Sequence, residues 1–253
     1  SRRIMSTLFQ GSSHHHHPGP RITPQDVDAL FAAGEIGNTQ ELNRLLDKGV
    51  DINTPNARGC SVLYIVANGN HLEALRVLIE RGADVNLENA AGFTALHVAA
   101  CTSHLPTIKH LVENGAEVNK RSHEGFSPLC YAAESGETNV VRYLISQGAI
   151  VDMKSNYGCT PLFHAARNGH TFVVRELLSK KANVNQESID GVTPIIDAAR
   201  GGHILCMTEL KRGGGDPFKR VSYGATAIHL AAFNGHVDCV KLLARWGLNP
   251  NET

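Results

Sequence analysis

The chain has 253 residues, 42% hydrophobic and 19% charged, a balance that excludes an intrinsically disordered chain and suits one or two globular units. Lys plus Arg equals Asp plus Glu at 24 each, so no net charge draws it towards nucleic acid or an anionic membrane. No apolar run approaches the roughly 20 residues that a membrane-spanning helix needs, so no membrane insertion is expected.

The first twenty residues read SRRIMSTLFQGSSHHHHPGP. The run His14 to His17 between Gly-Ser-Ser and Pro-Gly-Pro has the pattern of an affinity tag with a linker, and Leu8-Phe9-Gln10-Gly11 resembles a viral protease cleavage site. A second reading takes Ser1 to Gln10 as a fused peptide ligand, basic at Arg2 and Arg3 and apolar at Ile4, Met5, Leu8 and Phe9. Under either reading, residues 1–20 stand apart from the fold.

From residue 24 onward the chain repeats itself. Gly59, Gly92, Gly125, Gly158, Gly191 and Gly224 are each 33 residues apart. They open matching strings: GCSVLYIVANGNH, GFTALHVAACTSH, GFSPLCYAAESGE, GCTPLFHAARNGH, GVTPIIDAARGGH and GATAIHLAAFNGH. A degenerate copy, DVDALFAAGEIGN, begins 33 residues earlier at Asp26, which makes seven units. The last string shows how one unit works. Thr226 stands where its hydroxyl can cap free amides of a first helix. The small pair Ala231-Ala232 allows close packing, and Asn-Gly ends the helix with a left-handed turn. A second helix is predicted over His236 to Trp246, with Val237, Val240, Leu242 and Leu243 at helical spacing. The unit then closes on a Gly-Ala-x-Val-Asn loop, as in Gly82 to Asn86.

Period and strings together resemble the ankyrin-repeat family over about residues 24 to 253. The resemblance implies an all-α repeat solenoid: an ankyrin-repeat stack of helix-turn-helix units joined by β-hairpin loops, with hairpin tips and first helices lining a concave face. Residues 24–58 read as the N-terminal capping repeat, with polar Asp28, Glu35, Gln40 and Asn43, and residues 59–253 as six further repeats. The last unit looks internal and the chain stops where an eighth hairpin would start, so truncation from a longer protein is expected.

Candidate chemistry is sparse. His71, His104, His170, His203 and His236 keep the 33-residue register, with Glu137 in the remaining place, and read as scaffold. His97 and His229 hold the Thr-x-x-His position, which in the family hydrogen-bonds the hairpin. His123 and His164 lie off these patterns. No phosphate-binding loop, nucleophile elbow or H-E-x-x-H motif appears, so no enzyme activity, cofactor or metal site is expected. The six cysteines are scattered, with no C-x-x-C pair, and read as small buried hydrophobes and reduced thiols of an intracellular protein, cytoplasmic or nuclear.

Function is expected where the repeat leaves residues free: the tip before each glycine, the residue after it, and the two after the Ala-Ala pair. Aromatic residues recur there at Phe93, Phe126, Tyr157, Tyr223 and Phe233, and basic ones at Arg121, Lys154, Arg167, Arg200 and Arg220, interrupted by Glu134 and other acids. Aromatics and Arg are the side chains that dominate binding surfaces, and Arg grips carboxylates in a bidentate fork. The predicted partner is a protein or an extended peptide with acidic and apolar side chains, bound by a monomer. The resemblance allows an adaptor or scaffold, including a substrate adaptor of a ubiquitin ligase. It equally allows the regulatory domain of an enzyme or channel whose active part lies elsewhere. The family also implies that loop asparagines Asn53, Asn86, Asn119 and Asn185 are candidates for hydroxylation, although bonding the loop backbone alone accounts for them.

Overall fold

A computed structural model describes residues 19–251, so the tag-or-ligand reading of the opening segment falls almost wholly outside the described residues. What is described is seven helix pairs in single file. The first pair is α1 (Pro24–Ile36) and α2 (Thr39–Lys48). Each later unit starts its first helix just after a Ser or Thr: α3 (Val62–Asn68), α5 (Ala95–Cys101), α7 (Pro128–Ser135), α9 (Pro161–Arg167), α11 (Pro194–Gly201) and α13 (Ala227–Phe233). The hydroxyls of Ser61, Ser127 and Thr160 accept the amide N–H three residues on, and proline at the first helical position of α7, α9 and α11 gives up an N–H that would have had no partner. In α5 and α13 a histidine completes the cap, since Nδ1 of His97 and His229 accepts from the Thr94 and Thr226 N–H at 3.0 and 3.2 Å.

The second helices are α4 (Leu72–Glu80), α6 (Leu105–Glu113), α8 (Thr138–Ser146), α10 (Thr171–Ser179), α12 (Ile204–Arg212) and α14 (Val237–Arg245). First helices stack on first helices, second on second, and each helix touches only its own partner and the neighbouring units. The core is correspondingly linear. Paired leucines or their equivalents on the second helices, such as Leu75 and Leu78 or Val174 and Leu177, are fully buried, as are the alanine pairs Ala99-Ala100, Ala132-Ala133, Ala165-Ala166 and Ala198-Ala199. Ala232 holds the same repeat place as Ala100 and Ala199 but is exposed, because no described unit stacks on it.

The register histidines sit at the starts of the second helices and tie each unit to the one before. Nε2 of His71, His170 and His203 donates to the carbonyls of Glu35, Glu134 and Arg167 at 2.8, 2.7 and 3.0 Å. Glycine is needed beneath these rings. Gly169 has φ +75, and a Cβ there would lie 2.6 Å from Nδ1 of His203. Unit one is capped differently: Asp26 takes the Thr23 N–H and hydroxyl and both its oxygens accept from Lys48 Nζ at 2.8 Å, binding the start of α1 to the end of α2. These contacts hold the Asp26 carboxyl at about 2, with the Lys48 hydrogen bond the largest cause.

The hairpin loops are very short and carry almost no strand. Among the described residues the ladder amounts to one isolated antiparallel bridge, Arg220 with Thr226. The tips are tight turns closed by a bond four residues long, such as Ser122 N–H to the Phe126 carbonyl at 2.9 Å, which leaves no length for strands. Successive tips are joined by one backbone bond each: His123 N–H to Ala91, Asn156 to Glu124, Ile189 to Tyr157 and Ser222 to Asp190, at 2.9 to 3.0 Å. Below them, asparagines form rungs between loops. Asn86, Asn119 and Asn185 each accept from a backbone N–H of the next loop at 2.8 to 2.9 Å and donate to the carbonyl of Gly115, Gly148 or Gly214. Asp152 stands in the place between Asn119 and Asn185 and accepts only, from Asn183 N–H at 3.0 Å, as Asn53 does from Asp84 N–H.

Candidate functional site

Between the tips and first helices of units four to six the surface falls into a groove of about 390 Å³. Four of the ten sequence-predicted residues, Phe126, Tyr157, Arg167 and Arg200, line it together. Phe126 is carried by the fourth tip, whose backbone is held from the preceding unit: Nε2 of His97 donates to the Phe126 carbonyl at 3.2 Å. The Phe126 ring lies edge-on to His164 with centroids 5.2 Å apart and stands 6.1 Å from the ring of Tyr157, within the range of favourable aromatic pairs. Tyr157 is 43% exposed, and its hydroxyl donates to Glu124 at 3.3 Å. The Glu124 charge raises the Tyr157 phenol above its ordinary value.

His164 lines this groove and Asp197 lies beside it against Arg167 and Arg200, and the sequence reading left both out of the predicted site. They hold the same repeat place, one on α9 and one on α11, where the other units carry Ile65, Val98, Tyr131 and Leu230. Two polar residues in an otherwise apolar or aromatic column were the available signal. The His164 side chain is 9% exposed, its Nε2 has no partner, and Nδ1 is 3.9 Å from a Glu134 oxygen. Burial, and then the charge of Arg167, push its pKa down to about 4, so the ring is neutral at physiological pH. The Asp197 side chain is fully buried, with neither oxygen accepting a well-directed hydrogen bond. Arg200 touches its Oδ1 off the hydrogen-bonding line, and Arg167 Nε is 3.9 Å from Oδ2. Burial raises the Asp197 carboxyl, and the pull of both arginines reduces that rise without cancelling it. The Thr193 hydroxyl nearby in sequence is also without a partner, since Ile196 stands where unit three has His97.

The remaining predicted residues are spread out. Phe93 lines a separate groove of about 890 Å³ across units one to three, with Phe31, Tyr64 and Arg58. That groove is larger, but it has no buried, unpartnered polar group, so the smaller one is the better candidate for specific recognition. Arg121 donates to Asn156 Oδ1 at 3.3 Å, spanning two tips. Glu134 and Lys154 are exposed, and Glu134 approaches the groove only through His164. Tyr223 and Phe233 are 67% and 88% exposed in unit seven and line none of the first groove's walls.

The cysteine that lines the groove is not activated. Burial raises the Cys159 thiol, with Asp197 adding to the effect, and Cys101 is pushed up to about 11. A thiol raised in this way is protonated and a poor nucleophile. Among the described residues no group of His, Cys, Asp or Glu is arranged to hold a metal ion, and no helix is long and apolar enough to cross a membrane.

A family model for ankyrin repeats (3 copies) matches residues 30–122, 119–188 and 176–253. The chain belongs to the ankyrin-repeat family. A search of curated proteins gave no match. Ankyrin repeats are in general protein–protein interaction modules, and their domains are typically non-catalytic. In this ankyrin stack, four of the ten predicted residues meet at the groove of units four to six.

Proposed function

We propose that this ankyrin domain is a non-catalytic binding module, working as a monomer inside the cell, that holds an extended peptide or protein segment in the groove of units four to six. The observation that carries this reading is the pairing, within one groove, of an aromatic wall, Phe126 and Tyr157, with two arginines, Arg167 and Arg200. Accessible aromatics next to accessible guanidinium groups suit a segment that alternates apolar and acidic side chains. Concave-face binding follows, because the groove is bounded by tips on one side and first helices on the other. The six free cysteines are in keeping with a reducing compartment.

The test is binding of the chain to an array of short peptides in which acidic and aromatic residues are varied independently. Saturable binding that depends on both residue types, and that Phe126→Ala and Arg167→Ala each weaken by tenfold or more, supports the reading; tenfold is about 1.4 kcal/mol. Peptide binding indifferent to both substitutions would place the partner surface elsewhere on the stack.

A further inference from the structure

We propose that Arg167, Asp197 and Arg200 form a receptor for one carboxylate group, and that Asp197 makes the site reject a doubly charged phosphoryl group. The inference rests on the reading of the groove as a peptide site in one respect: the carboxylate it takes is that of a ligand Asp, Glu or chain terminus.

The two guanidinium groups come from successive first helices, α9 and α11, one repeat apart. Their side chains are 57% and 37% exposed, while the carboxylate between them is wholly buried. Asp197 therefore meets the inner side of the pair and leaves outward N–H donors free, five being available on each guanidinium. These three residues, with Gly201 and Asn234, line a depression of about 330 Å³ and are the only charged groups in its wall. Other charged or titratable groups nearby are committed or set apart. His203 spends Nε2 on the Arg167 carbonyl, and Glu124 and Asp190 belong to the adjoining groove.

The charge of the triad is what sets the selectivity. Two cations and one buried anion leave a net charge of one positive unit. A single carboxylate in the bidentate reach of the arginines brings the cluster to neutrality. A phosphoryl dianion overshoots, and its second charge faces a buried carboxylate that is already paired with both arginines and that little water screens. The buried Asp197 thus acts as a fixed counter-charge that sets the valence of the ligand. Without it the same arginines would form a two-positive clamp of the kind that favours phosphate.

The experiment titrates the full chain with phenylacetate, a monoanion, and phenyl phosphate, a dianion, at slightly alkaline pH and low salt. The arginine Nε–Hε signals of Arg167 and Arg200 are followed by NMR. In the wild type, phenylacetate is expected to shift both signals saturably and to bind more tightly than phenyl phosphate. Asp197→Asn is expected to invert the order, moving the ratio of the two affinities by about tenfold or more, the scale of one unit charge at this range. A wild type that prefers phenyl phosphate, a variant that keeps the wild-type order, or signals that respond to neither anion would each overturn the inference. Should Asp197→Asn fail to fold, Arg167→Gln at an exposed position brings the cluster to zero and is expected to abolish the phenylacetate response; a retained response overturns the inference. Sorting of the anions as stated, with no peptide held, would count against the proposed function alone. Acidic peptides bound by a chain that treats both anions alike would count against this inference alone.

Discussion

Nε2 of His203 donates to the backbone carbonyl of Arg167 across 3.0 Å of space and 36 residues of sequence. The bond crosses the seam between units five and six and fixes the end of α9, from which the Arg167 side chain projects into the groove. Replacing His203 with Ala removes this bond and the ring that fills the space over Gly169. A loss of about 1–2 kcal/mol is expected, read as a lower urea midpoint, together with weaker ligand binding. Lost stability with fully retained binding would show that Arg167 does not depend on its carbonyl anchor.

Glycine and non-glycine residues at left-handed positions give opposite predictions. Gly169→Ala places a methyl group 2.6 Å from the His203 ring at φ +75, and is expected to cost about 2–4 kcal/mol. Lys181 has φ +63 where the other units carry Gly82, Gly115, Gly148 and Gly214. Lys181→Gly relieves that conformation, offset by the freedom glycine gains when unfolded, and a net stabilisation of about 0.5 kcal/mol is expected from urea melts.

The aromatics at the free repeat positions should separate into two groups. Phe126 packs against Tyr131, Tyr157 and His164, so Phe126→Ala is expected to cost about 2 kcal/mol of stability as well as binding. Phe233 is 88% exposed, and Phe233→Ala should change the melting midpoint by less than about 0.5 kcal/mol equivalent. A large loss at Phe233 would mean that a contact, within the chain or with a second copy, covers it in solution.

Acid should weaken the stack in a defined window. His97 and His164 are held near a pKa of about 4 by burial, below the ordinary 6.5, so the unfolded chain takes up protons first. The stability they confer is complete above pH 6.5 and is lost as pH falls towards 4, on the order of 3 kcal/mol for each. Asp197 has the opposite sign. Its folded value lies above 3.8, so the penalty of its buried charge is present at neutral pH and is relieved as pH drops through that raised value. Urea midpoints measured across this range should fall steeply, and His164→Leu should flatten the slope. An unchanged slope would show that the His164 ring is solvated in the folded state.

The repeat was legible because stacking imposes it: Gly59 to Gly224, the Ser or Thr caps and the alanine pairs all recur for reasons each unit shares. The first unit was less legible, since Asp26 aligns by spacing with a tip glycine but lies inside α1, where it serves as cap and partner of Lys48. The hairpin loops expected from the family are present as short tip turns with almost no strand. Within the site, the free positions led to Phe126, Tyr157, Arg167 and Arg200. His164 and Asp197 were missed because they lie inside helices at a place the repeat normally fills with bulk. What they do depends on a buried imidazole nitrogen without a partner and a buried carboxylate between two arginines, and spacing carries no information about either.

The asparagine rungs also bear on how the stack deforms. An amide grips the next loop with a donor and an acceptor, whereas Asp152 has no N–H to give the Lys181 carbonyl. A solenoid tied link by link is a spring, and this link is softer by one tie than those made by Asn86, Asn119 and Asn185. It lies between the loops leading to the fifth and sixth tips, the two that carry Tyr157 and Asp190. The Asn53 rung is likewise held by an accepted bond alone, so the stack has two such links, and the one beneath Tyr157 and Asp190 is expected to bend more readily than its neighbours on either side.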